Sequence, residues 1–113
     1  MYASKVDMLR EEKKNMRGGS GSILLDTFDA PNPKNCRLIA VITVEPGCSI
    51  GSHAHDGETE IFYVLEGQLQ ADDNGTDVTL YTGDALYTGG GASHSVKNVK
   101  NQPAKMLAVI ITE

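Results

Sequence analysis

An all-β sandwich or barrel is the fold class this sequence predicts, on three observations. Short runs of β-branched and aliphatic residues recur from Ser22 to the C-terminus, separated by glycine-rich or asparagine-rich turns. No stretch after residue 21 carries a helical apolar period. The chain has 3 histidines, His53, His55 and His94. His94 lies far from the other two in sequence, and a closed or sandwiched sheet is what returns such positions to one point.

The 113 residues are one domain's worth. A formal net charge of −5 argues against nucleic acid and against an anionic membrane surface as partners. The start, Met1-Tyr2-Ala3-Ser4-Lys5, leads into charged residues without the apolar core of a signal peptide. No run approaches the roughly 18 apolar residues of a membrane span. Cys36 and Cys48 fit neither a disulfide framework nor a paired zinc motif. They read as reduced core thiols in a cytoplasmic protein.

Residues 1–21 are expected to form a polar arm, either mobile or ordered against a partner subunit, followed by a barrel over residues 22–113. Ser4-x-x-Asp7 offers a weak cap for a short helix showing Val6, Leu9 and Met16. Gly18-Gly19-Ser20-Gly21 is a flexible break and lacks the Gly-Lys spacing of a phosphate loop. Strands follow at Ile23–Leu25, 36–44, 59–65, 68–71, 78–81, 85–87, 95–99 and 104–112. Pro31-Asn32-Pro33 and Glu45-Pro46-Gly47 are turns. Asn74-Gly75 suits a type I′ hairpin. The segments 36–44 and 106–112 are apolar with almost no alternation. A sheet with one wet face alternates, so their second face is expected to be covered by a second copy of the chain in a homodimer.

His53 and His55 are two apart, so in an extended segment both imidazoles leave the same face. A loop through Asp56-Gly57-Glu58-Thr59 can return the Glu60 carboxylate to that point, and His94 arrives from a distant strand. Three imidazoles and a carboxylate hold one divalent transition metal and suit Fe, Mn, Ni, Co or Zn. Four protein donors on an octahedral ion leave two positions open. Glu58 is a second carboxylate in the same loop, able to replace Glu60 or to act as an outer acid or base. If Glu60 points inward, alternation sends Phe62 and Val64 inward too. Val96 shares a face with His94, which makes these three the expected pocket wall. Tyr87, Tyr81 and Arg37 complete the weak candidates for chemistry, with Glu58 and Tyr87 foremost as catalytic residues.

This pattern resembles the cupin superfamily. Its first motif is matched by Gly47, five residues, His53-Ala54-His55, four residues, Glu60, six residues and Gly67. Its second is matched by Gly83, five residues, Gly89-Gly90-Gly91, two residues, His94, three residues and Asn98, with Gly89 where the family has proline. The resemblance is to short single-domain cupins. It implies a jelly-roll β-barrel with His53, His55, Glu60 and His94 as metal ligands. It also implies frequent dimers whose N-terminal segments pack on the partner. Two functions fit. One is a metalloenzyme, dioxygenase- or isomerase-like, acting on a small polar substrate. The other is a non-catalytic module that binds a sugar-like small molecule or senses metal.

Overall fold

A computed structural model describes all 113 residues. The chain forms ten strands: β1 (Leu9–Lys14), β2 (Ser22–Thr27), β3 (Cys36–Val44), β4 (Ser49–Ala54), β5 (Glu58–Glu66), β6 (Leu69–Asp73), β7 (Thr76–Leu80), β8 (Ala85–Gly89), β9 (Ser93–Lys97) and β10 (Ala104–Thr112). They make a six-stranded sheet in the order β1-β2-β3-β10-β5-β8 and a four-stranded sheet in the order β4-β9-β6-β7. Every pairing is antiparallel. Between the two sheets lies a core that includes Ile23, Ile42, Phe62, Val64, Leu69, Val96 and Met106. No helix is long and apolar enough to cross a membrane.

The turn residues act as their chemistry dictates. Asn74 and Gly75 both adopt positive φ, 49° and 97°, and join β6 to β7 as a type I′ turn requires. Asn98 is fully buried and donates to the carbonyls of Val44 at 2.9 Å and Gln102 at 2.7 Å. It therefore ties the turn after β9 to the end of β3.

The first 21 residues depart from the expected arm. Ser4 caps a single 3-10 turn, Lys5–Asp7. Leu9–Lys14 then pairs in full with β2 of the same chain. This strand carries no apolar signature because it is an edge: five of its six residues are exposed. Charged side chains are what edge strands use to stay unpaired on their outer side. Main-chain hydrogen bonds hold it, helped by Arg10, which grips the Asp26 carboxylate at 2.7 and 2.9 Å. That bond holds the Asp26 carboxyl below its ordinary value against the opposing effect of burial.

The apolar strands 36–44 and 104–112 alternate after all, between a buried face and a half-exposed one. Ala40, Ile42 and Val44 point inward from β3, as do Met106, Ala108 and Ile110 from β10. Their other residues form two apolar rows on the outside of the six-stranded sheet. One row runs Val41, Leu107, Tyr63, and the other Ile39, Val109, Ile61, Tyr87.

Candidate metal centre

His53 and His94 face each other across β4 and β9. His55, just past β4, is placed by two main-chain bonds. Its N–H donates to the Ala92 carbonyl at 3.0 Å, and its carbonyl accepts from Gly91 at 2.8 Å. Glu60 comes from β5 of the opposite sheet, one residue into the buried alternation that continues through Phe62 and Val64. His55, Glu60 and His94 are buried, and His53 nearly so. The four residues each offer one donor atom, and those atoms lie within 4.8 Å of one another.

Each imidazole is fixed through its far nitrogen. His53 Nδ1 lies 2.8 Å from the Gly51 carbonyl, His55 Nδ1 2.6 Å from Glu58 Oε2, and His94 Nδ1 2.8 Å from Thr88 Oγ1. A carbonyl and a carboxylate only accept, so Nδ1 of His53 and of His55 carries the proton. Their Nε2 lone pairs are then free and aimed inward. Phe62 stacks on the His94 ring, 4.6 Å between centroids at an interplanar angle of 11°, and fixes its plane.

The donor spacing is that of a metal site. His94 Nε2 is 3.1 Å from Nε2 of both His53 and His55. Glu60 Oε1 is 3.0 Å from Nε2 of both His55 and His94, and 4.0 Å from that of His53. At a metal–donor distance of about 2.1 Å, adjacent octahedral donors stand about 3.0 Å apart and opposite ones about 4.2 Å. Tetrahedral donors would all stand about 3.4 Å apart. Four of the observed separations are 3.0–3.1 Å, His53 and Glu60 stand 4.0 Å apart, and all four atoms lie within 4.8 Å of one another, close enough to share one ion. The Nε2 lone pairs of His53 and His55 and the Glu60 carboxylate converge on His94 Nε2 at 3.0–3.1 Å, a cluster that a cation at its centre would stabilise. The residues therefore fit a divalent ion.

Electrostatics agree with that fit. Burial pushes the Glu60 carboxyl up, and N–H donors and positive charge on the histidine side outweigh it, leaving the group at about 2; with Nε2 of His53 and His55 unprotonated, a cation among the rings would take that place. Glu58 is also held to about 2, chiefly by Arg37, whose guanidinium binds both its oxygens at 2.6 and 2.7 Å. Both carboxylates are ionised at neutral pH.

A cavity of about 190 Å³ opens onto the cluster, lined by His53, His55, Glu60 and Phe62. His94 lies fully buried and outside its lining. Its outer part is made by Lys13 of β1, by Met16 and Arg17 of the following turn, and by Arg37.

Several sequence-predicted residues stand elsewhere. Glu58 is neither a loop residue in solvent nor one of the four converging donors; it bridges His55 and Arg37. Tyr87, the second catalytic candidate, is 68 % exposed, because Leu86 and Thr88 take the inward positions of β8. Tyr81 is exposed too. Of the expected pocket wall, Phe62 lines the cavity, whereas Val64 and Val96 are packed in the core and do not. Thr88 and the Gly51 carbonyl were not foreseen. Thr88 becomes visible only once β8 is paired to β5, which sets it opposite Glu60.

A family model described as "Cupin domain" matches residues 40–110. The chain is 40% identical over 114 residues to a Thermotoga maritima protein described as an oxalate-binding protein, covering 98% of this chain and 93% of that relative. A crystal structure from Thermotoga maritima, described as a predicted oxalate decarboxylase, superposes with a TM-score of 0.92 at 37% identity over 100% of both chains. A sugar phosphate isomerase of the cupin superfamily from Silicibacter pomeroyi shares the fold, with a TM-score of 0.81 at 19% identity over 100% of this chain and 76% of that one. The chain is a member of the cupin domain family, with a His-His-Glu-His cluster suited to a divalent metal inside its barrel.

Proposed function

We propose that His53, His55, Glu60 and His94 hold one divalent transition metal, from Fe, Mn, Ni, Co or Zn, and that the cavity above them binds a small carboxylate dianion of the oxalate class. The convergence of three imidazole nitrogens and one carboxylate oxygen, with each Nδ1 already engaged, carries this reading. On a six-coordinate ion, four protein donors leave two positions, which suits a ligand offering two oxygens. The cavity volume, about 190 Å³, is below the roughly 300–1,000 Å³ of drug-sized sites and sets the occupant at a handful of non-hydrogen atoms. The Thermotoga maritima relative described as oxalate-binding supports the ligand class.

A bound divalent ion supplies Lewis acidity toward a carboxylate oxygen. The chain's own residues do the rest. Glu58 and the Gly51 carbonyl hold the His55 and His53 rings in one orientation. Phe62 and Ile110 keep one wall dry, and Arg37 presents positive charge to the cavity. No free acid or base stands beside the cluster, since Glu58 is engaged by Arg37 and His55 and Tyr87 faces outward. That favours binding or sensing over acid–base catalysis. The alternative is a metal-dependent decarboxylase, oxygenase or isomerase; the two open coordination positions favour it.

We also assign the partner and the compartment. The outer rows Val41-Leu107-Tyr63 and Ile39-Val109-Ile61-Tyr87 suit a second copy of this chain packed face to face. Two free cysteines, Cys36 and Cys48, suit a reducing cytoplasm.

Elemental analysis of untagged protein, repeated on His94→Ala, tests the site. About one metal per chain, lost in the variant with the fold retained, is the expected result. An unchanged metal content in His94→Ala would overturn the assignment.

A further inference from the structure

We propose that Arg17, presented by the turn Asn15–Gly19, is an anion-recognition residue that binds a carboxylate of the small dianion in the cavity. The inference rests on the ligand class proposed above and assigns its recognition to the N-terminal segment.

Three cations line this cavity, Lys13, Arg17 and Arg37. Arg37 is committed to Glu58 and Lys13 sits 3.2 Å from Glu11. The Arg17 guanidinium makes neither an ion pair nor a hydrogen bond. It is the one lining cation with no ion-pair partner. A guanidinium presents a planar fork that matches a carboxylate, so Arg17 has the chemistry for such a ligand as well as the charge.

The backbone places it there at a cost. Arg17 has φ 54° and ψ 31°, and Asn15 has φ 50°. Left-handed backbone is uncommon for a residue such as arginine and persists where the surroundings impose it, frequently at ligand clamps. Here the surroundings are explicit. Asn15 N–H donates to the Gly21 carbonyl at 2.8 Å, and Gly19 N–H to Met16 at 2.9 Å. Ser20 bonds Ser49 and the Gly47 carbonyl. The turn lies so close on β4 that a Cβ on Gly51 would collide with the Arg17 carbonyl, and one on Gly19 with the Ser49 carbonyl. Gly51 is also the residue whose carbonyl orients His53. The Arg17 backbone and the His53 ring are thus held by one local framework, from which the exposed Arg17 side chain reaches the cavity lining.

The test is titration of the Mn(II)-loaded protein with oxalate at several salt concentrations, on wild type, Arg17→Gln, Arg17→Lys and Arg17→Gly. We expect Arg17→Gln and Arg17→Gly to bind oxalate about tenfold more weakly, with Arg17→Lys between them and wild type. We also expect a shallower dependence of affinity on salt in the two uncharged variants, because one cation has been removed. Manganese content stays at wild-type level in all four. Arg17→Gly suits a left-handed turn and guards against a loss that merely reports a broken fold. Equal oxalate affinity in wild type and Arg17→Gln would overturn the inference and leave the ligand class intact. If metal-loaded wild type binds no oxalate, the proposed ligand class fails, and the inference with it.

Discussion

Glu58 Oε2 lies 2.6 Å from Nδ1 of His55 while Arg37 clasps both carboxylate oxygens. The carboxylate fixes the tautomer of a ring whose other nitrogen joins the cluster, and so acts on the site from one residue away. Glu58→Gln removes the charge while leaving an oxygen able to accept the hydrogen bond. Metal stoichiometry is expected to survive, with affinity reduced about 10–100-fold. Competition against a chromophoric chelator measures this. Loss of the metal altogether would make Glu58, rather than Glu60, the coordinating carboxylate.

Donor number makes a spectroscopic prediction. Cobalt-substituted protein is expected to show the weak visible bands of a six-coordinate ion, since the four donors of the cluster would leave two positions to solvent or ligand. Intense bands would mean that the site closes to a tetrahedron on loading. Phe62→Leu, which removes the ring stacked on His94, is expected to broaden these bands without abolishing binding.

Acid stability reads out the pairing of β1 with β2. The Arg10 hydrogen bond lowers the Asp26 carboxyl from 3.8 in spite of burial. A carboxylate depressed on folding adds stability that is present above its unfolded value and lost as pH falls through its folded one. Wild type is therefore expected to be more stable than Asp26→Asn at neutral pH, with the gap closing below about pH 4. Thermal melts of both proteins across pH 2–7 check this. A gap independent of pH would mean that the variant acts through packing alone.

Leu107 stands at the centre of the outer apolar rows, between Val41 and Tyr63. In the proposed dimer, an aspartate there would bury an unpaired charge between the two copies, at a cost on the order of several kcal/mol. Leu107→Asp is expected to sediment as a monomer at concentrations where wild type is a dimer. A wild type that is itself monomeric would remove the second copy from the account.

The left-handed arginine predicts a trade between stability and recognition. Arg17→Gly relieves a conformation that disfavours side chains by roughly 1–2 kcal/mol, partly offset by the entropy of an added glycine. A net gain of about 0.5 kcal/mol, or a few degrees in Tm, is expected. A lower Tm would mean that the Arg17 side chain contributes packing of its own.

Most of the site was legible because its chemistry is local. His53, His55 and Glu60 flank the one short loop between β4 and β5, and an extended backbone sends both histidines to one side. β3 and β10 were legible from their apolar content alone. β1 was not, because an edge strand is held by main-chain bonds and a part-buried Arg10–Asp26 pair, neither of which leaves an apolar period. β4 was obscured by Gly51 and by the register shift between Ile50 and His53. Val64 and Val96 have the right parity but the wrong depth. Alternation gives the face on which a side chain lies and says nothing about how far along the barrel the cavity extends. Thr88 and Arg17 depend on strand order and on a clash-limited turn, which are tertiary properties.

The division of the donors between layers has a mechanical consequence. His53 and His94 belong to the four-stranded sheet, His55 directly follows it, and Glu60 belongs to the six-stranded one. An ion gripped by all four would act as a rivet between two sheets that otherwise meet largely through apolar contact. Sliding or parting of the layers would then require breaking coordination bonds first. Loading is thus expected to slow amide hydrogen exchange most in β4, β5 and β9, the strands joined by that rivet, and least in β1 and β7, edge strands that carry none of the four donors.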